Sequence, residues 1–129
     1  MERSPGMIES LWWVLGVNAV LWLWVWLVPV RVVRVRRLWK SGALGMALPG
    51  VIFVTPAGDH PGVLAHEMVH QKQFRRYSPF GASILLGWFY LSGAMRYRWQ
   101  RGRWPQFWEL WSSNPLEQEA NEAMGKGPP

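Results

Sequence analysis

Three side chains able to hold and use a metal ion stand within five residues, in His66-Glu67-Met68-Val69-His70. On a helix, residues four apart lie one turn apart on one face, so the two imidazoles can share one cation. Glu67 follows His66 and points to the flank of that face. From there its carboxylate reaches a metal-bound water without taking a coordination position, which is the logic of H-E-x-x-H. Zinc suits such ligands because it accepts nitrogen and oxygen and keeps one position open for water. It brings the pKa of that water toward neutrality, and Glu67 can take the proton as the water attacks a carbonyl. The chain has no cysteine and only three histidines, two of them in this pair, so a third ligand must be an imidazole or a carboxylate.

No histidine follows His70, which excludes a three-histidine site on an extended helix motif. His60 lies six residues before His66, on or before the helix cap, and faces away. The acidic residues after His70 are Glu109, Glu117, Glu119 and Glu122. Three of them fall in Glu117-Gln118-Glu119-Ala120-Asn121-Glu122, and a second helix delivering one glutamate would complete a His-His-Glu site. Glu117 occupies the first turns, and Glu119 points about 200° away on the same helix, so only one of the two can serve. An acidic first turn is also favoured by the helix dipole with no metal involved.

The elements that must place these groups are legible in outline. Asp59 or His60 can cap a helix that has Pro61 in its first turn and runs to about Tyr77, before Ser78-Pro79. Val51–Val54 is a short β-branched and aromatic run between Pro49-Gly50 and Thr55-Pro56, the mark of a strand. Pro56 to Asp59 is a turn, and residues 41–50 read as a connector. Arg31 to Lys40 is either an interfacial helix or a strand with cations on one face. Trp104 to Ser112 is a short helix or turn. Asn114 caps a last helix that has Pro115 in its first turn and ends near Met124-Gly125. The expected fold is mainly α with a small β element.

The 129 residues suggest one small globular unit, yet half are hydrophobic and 11 are tryptophan. A domain of this size cannot bury so many indoles, whereas a membrane interface suits them. Leu11 to Val30 is almost continuously apolar. Twenty helical residues span about 30 Å, the thickness of a bilayer core. The expected division is therefore a membrane anchor with its basic flank at 1–40 and a catalytic domain at 41–129. Arg31, Arg34, Arg36, Arg37 and Lys40 follow the anchor directly and account for much of the net charge of +6. That placement points to lipid headgroups rather than nucleic acid, and it orients the domain to the cytoplasmic face of the inner membrane. Phe80–Met95 is a second apolar stretch, about 24 Å long as a helix and too short to cross. A crossing there would part His70 from Glu117, so the stretch is expected to lie on the membrane or wall the site.

Residues 66–70 followed by Glu117-x-x-Ala120 resemble the gluzincin metallopeptidases, above all their membrane-associated branch with E-x-x-A-D on the later helix. HEMVHQKQ and NPLEQEA are also similar to small bacterial and phage proteins in which H-E-x-x-H-x-x-Q precedes N-P-x-E-x-E-A. The likeness covers about Val51 to Met124. It implies a minimal zincin-like domain, Zn2+ as cofactor, His66, His70 and Glu117 as ligands, Glu67 as general base and a peptide or protein substrate. It also implies that Val51–Val54 is an edge strand aligning an extended peptide. Asn121 stands where the larger enzymes have an aspartate that orients a ligand histidine, and it brings no charge to that histidine. Tyr77, Tyr90, Tyr97 and His60 are the available oxyanion helpers. The alternative to catalysis is a zinc-stabilised membrane adaptor.

Overall fold

The computed structural model describes residues 6–38 and 43–126. The expected boundary at residues 40 and 41 lies outside them. Five α-helices and three strands follow in the order α1 (Met7–Leu27), β1 (Arg31–Arg34), β2 (Gly45–Leu48), β3 (Val51–Val54), α2 (Pro61–Tyr77), α3 (Pro79–Arg101), α4 (Phe107–Ser113) and α5 (Pro115–Lys126). The molecule is mainly helical with one small sheet.

Strand order is β1-β3-β2, with β1 parallel and β2 antiparallel to β3. Val51–Val54 is thus the central strand, not an edge. Its alternate side chains, Ile52 and Val54, are fully buried. The edges are β1 and β2, and β2 arises within the expected connector. Its sequence Gly45-Met46-Ala47-Leu48 has no β-branched or aromatic residue, so the strand owes its form to pairing rather than propensity. The β2–β3 turn places Gly50 at φ 80, where a side chain would be strained and would collide with Trp24. Gln71 of α2 secures this turn, accepting from the Gly50 N–H and donating to the carbonyls of Leu48 and Val51. Within the basic segment Arg31–Arg34 forms a strand, but Arg31 and Arg34 are three apart and so project from opposite faces rather than one, and residues 39 and 40 lie outside the described residues.

Helix α2 starts where expected. His60, not Asp59, is its cap, accepting from the Val63 N–H, while Asp59 pairs with Arg34 at 2.6 Å. α3 begins at Pro79 and extends to Arg101, past the expected limit, where Gly102 in the left-handed region closes it. The expected cap of the last helix forms, with the buried Asn114 side chain accepting from the Leu116 N–H at 3.0 Å. α2 packs most extensively on α5, and its other faces meet α3 and β2.

Helix α1 has 21 residues and is long and apolar enough to cross a membrane. Only Val25 in it is buried. Its inner face is joined to the bend between α2 and α3. Asn18 donates to the Ser78 hydroxyl at 3.1 Å and accepts from the Phe80 N–H at 2.9 Å. Ser78 has φ 68, and its hydroxyl also caps α3 by accepting from the Gly81 N–H.

Candidate metal centre

The packing of α2 on α5 brings His66, His70 and Glu117 together, and their ligand atoms form a group able to hold a metal ion. His66 Nε2 and His70 Nε2 are 3.2 Å apart. Glu117 Oε2 lies 3.3 Å from the first and 3.4 Å from the second. That oxygen is buried and has no hydrogen-bond partner among the described residues. Three donor atoms thus converge on one point, with a carboxylate oxygen left over for a cation. Burial pushes Glu117 up, but the two imidazoles outweigh it and hold its carboxyl at about 2. Burial lowers His70, yet the Glu117 carboxylate and the Gln73 side chain raise it above its ordinary value.

The spacing of charge along α5 separates the two glutamates as the helical angle requires. Glu117 turns inward, while Glu119 turns out to Arg76, 3.5 Å away. Glu122 is exposed. α3 does not part the ligands. In its first turns Phe80, Ala82, Ser83 and Leu86 line a cleft of about 510 Å³ that contains His66, Glu67, His70 and Glu117. The β2 edge, Gly45 to Leu48, and Leu21 of α1 also line the cleft.

Glu67 is buried beside the imidazoles, and burial raises its pKa. Gly45 makes room for it. A Cβ on Gly45 would lie 3.1 Å from Glu67 Oε1 and 3.1 Å from Val63 Cγ1.

Two residues have supporting roles not assigned from the sequence, although Gln73 is the glutamine of H-E-x-x-H-x-x-Q. Gln73 holds His70, with Oε1 2.9 Å from its Nδ1, and donates from Nε2 to the Leu116 carbonyl at 2.9 Å. Its position three residues after His70, on the same helix face, is the signal that marks it. Trp111 of α4 stacks over His66 with centroids 6.1 Å apart and planes 21° apart. No motif singles it out among 11 tryptophans. Asn121, by contrast, takes no histidine. Its Oδ1 is buried without a partner among the described residues, as is His66 Nδ1.

None of the four expected oxyanion helpers lines the cleft. Tyr97 bonds to Glu109 and Arg103, Tyr77 lies under Arg76 and His60 caps α2. Tyr90 stacks on Phe107, and burial followed by the Glu117 charge pushes its hydroxyl pKa well up. No protein-family model, curated protein or solved structure matches the chain.

Proposed function

We propose that this chain is a zinc-dependent peptide hydrolase of the gluzincin type, attached to the inner membrane by α1 with its catalytic domain on the cytoplasmic face. One observation carries the reading: the triangle of donor atoms with sides of 3.2, 3.3 and 3.4 Å. A tetrahedral zinc with bonds of about 2.0–2.1 Å has ligand–ligand distances of about 3.3 Å. The two nitrogens and one oxygen are the donor types zinc takes in open catalytic sites.

His66, His70 and Glu117 would hold the ion. When bound, it would act as a Lewis acid on a substrate carbonyl and on water. Glu67 is the base. Its carboxylate lines the same cleft, and burial favours its taking a proton, which it would then pass to the more basic leaving amine. Gln73 keeps the proton of His70 on Nδ1 and leaves Nε2 bare for the ion. The open edge of β2 forms a wall of the cleft, so an extended peptide can add to it through backbone hydrogen bonds. That role falls to Gly45–Leu48 rather than to the central Val51–Val54.

The second reading is a zinc-stabilised membrane adaptor. It draws support from the position of the ligands, which bridge the largest helix–helix contact in the molecule. The Glu67→Gln variant separates the two. Hydrolysis by wild type that is lost in Glu67→Gln at unchanged zinc content supports the peptidase. A zinc-loaded wild type that cleaves neither casein nor membrane-protein fragments supports the adaptor.

A further inference from the structure

On the side of α2 away from the metal ligands, a second cleft of about 580 Å³ lies between Trp22 and Trp26 of α1 and Lys72, Arg75 and Arg76 of α2. The two helices are joined at this point. Trp22 Nε1 donates to the Arg75 carbonyl at 2.8 Å, and Arg75 Nε donates to the Val25 carbonyl at 2.8 Å. The Arg75 guanidinium also lies 5.8 Å from the Trp26 ring. Arg76 shares its charge with Glu119. Among the described residues, Lys72 and Arg75 pair with no carboxylate, and no acidic side chain lines the cleft.

The level of this cleft along α1 is informative. Trp26 is one residue and Trp22 five residues from the end of the helix at Leu27. At about 1.5 Å per residue, the cleft covers roughly the last 8 Å of the span. That is the depth of the membrane interface, where indoles settle and where lipid phosphates begin. The chain leaves α1 through the exposed Arg31 and Arg34, so positive charge continues outward from the cleft.

We propose that Trp22, Trp26, Lys72, Arg75 and Arg76 form a binding site for the headgroup of an anionic phospholipid, in the leaflet at the C-terminal end of α1. The phosphate sits between Lys72 and Arg75, and the upper part of an acyl chain lies along the two indoles. Two cations without carboxylate partners favour a headgroup of net negative charge. They repel the ammonium of a zwitterionic one. The site rests on α1 lying in a bilayer and is independent of whether the metal centre is catalytic.

The test uses the full chain, purified in detergent and offered equal amounts of phosphatidylglycerol and phosphatidylcholine, with retained lipid read by native mass spectrometry. Phosphatidylglycerol is expected to be retained in preference. Lys72→Gln should weaken that retention about fivefold, the effect of one interfacial cation. Arg96→Gln, an equal loss of charge at an exposed place on α3, should leave it unchanged. Equal retention of both lipids, or a Lys72→Gln variant that behaves as wild type, would overturn the site. Displacement of the lipid by millimolar inorganic phosphate would also overturn it, in favour of a free-anion site. Extraction of membranes with alkaline carbonate tests the premise separately. Release of the wild-type chain would remove α1 from the bilayer and the lipid site with it. Retention combined with equal lipid binding would refute the site alone.

Discussion

The Oε1 of Gln73 lies 2.9 Å from Nδ1 of His70, and the same amide donates to the backbone of Leu116, the neighbour of Glu117. One side chain therefore ties a candidate ligand on α2 to the segment that delivers the candidate ligand on α5. Replacing Gln73 by Ala removes both bonds. Zinc affinity, measured by competition with a chromophoric chelator, should fall about 10- to 100-fold, the usual effect of losing a partner that orients a ligand histidine. Gln73→Glu keeps an acceptor for Nδ1 and should retain most of the affinity. Equal losses in both variants would show that His70 does not depend on this contact.

Gly45 faces the Glu67 carboxylate with bare backbone. An added methyl would meet Glu67 Oε1 and Val63 Cγ1, both at 3.1 Å, so the carboxylate must shift by a few tenths of an ångström. Misplacing a catalytic group by about 1 Å can cost about 100-fold, and a smaller shift should cost roughly tenfold. Gly45→Ala is therefore expected to lower kcat about tenfold with zinc content unchanged. An unaltered kcat would mean that Glu67 tolerates displacement and is not the base.

Glu117 and Glu119 are two residues apart and have opposite surroundings. Glu117→Ala removes a ligand and should weaken zinc binding by more than the roughly 100-fold upper range for an orienting partner. Glu119→Ala loses only the exposed pair with Arg76 and should leave affinity within about twofold, as exposed pairs contribute little. Because the ligands span α2 and α5, chelation should also destabilise the fold. At a free zinc concentration of about 100 times Kd, the bound ion contributes about 2.7 kcal/mol. Thermal unfolding with and without chelator measures it. A wild-type midpoint indifferent to chelator would exclude the bridge.

The parts of this molecule legible in the sequence are those governed by local spacing. His66 and His70 share a face because they are four apart, and Asn114-Pro115 marks a helix start because its cap and its proline are local devices. Helical angle established only that Glu117 and Glu119 cannot both serve, and the choice of Glu117 came from the likeness to a known motif. What could not be read depends on partners distant in sequence. β2 exists because Gly45–Leu48 pairs with β3, and that pairing makes β3 central. Gln73 stands three residues after His70, but its second anchor, the Leu116 carbonyl, is distant in sequence. Trp111 joins His66 only because α4 folds back against α5. Asn121 shows the reverse. The motif assigns it a histidine, and its side chain is buried without one.

Glu109 joins the end of α3 to the start of α4. It accepts from Arg103 at 2.9 Å, from Tyr97 at 2.5 Å and from the Gln106 N–H at 2.8 Å. Arg103 first, and then Tyr97, hold its carboxyl at about 2, below the ordinary 4.5. A depressed carboxylate stabilises the fold above the unfolded value and loses that contribution as pH falls through the folded one. Wild type should thus exceed Glu109→Gln in thermal midpoint at neutral pH. The gap should narrow as pH drops from about 4.5 toward about 2. A gap independent of pH would show that the carboxylate charge contributes nothing there.

Asn18 is a polar residue in the middle of an apolar helix, and its contacts explain its presence. Its amide meets the Ser78 hydroxyl and the Phe80 N–H at the bend between α2 and α3. Asn18→Leu keeps the branching and heavy-atom count of the side chain and the apolar character of α1 but leaves the Phe80 N–H without its acceptor. Leaving a part-buried donor unsatisfied costs about 1–3 kcal/mol. The variant should still insert into membranes, since α1 becomes more apolar, yet unfold at a lower temperature in detergent. Its zinc affinity should fall less than its stability, because the metal ligands lie on α2 and α5, away from the broken contact. If Asn18→Leu left the unfolding temperature unchanged, α1 would act as a tether only, and Leu21 would have no fixed place in the wall of the metal cleft.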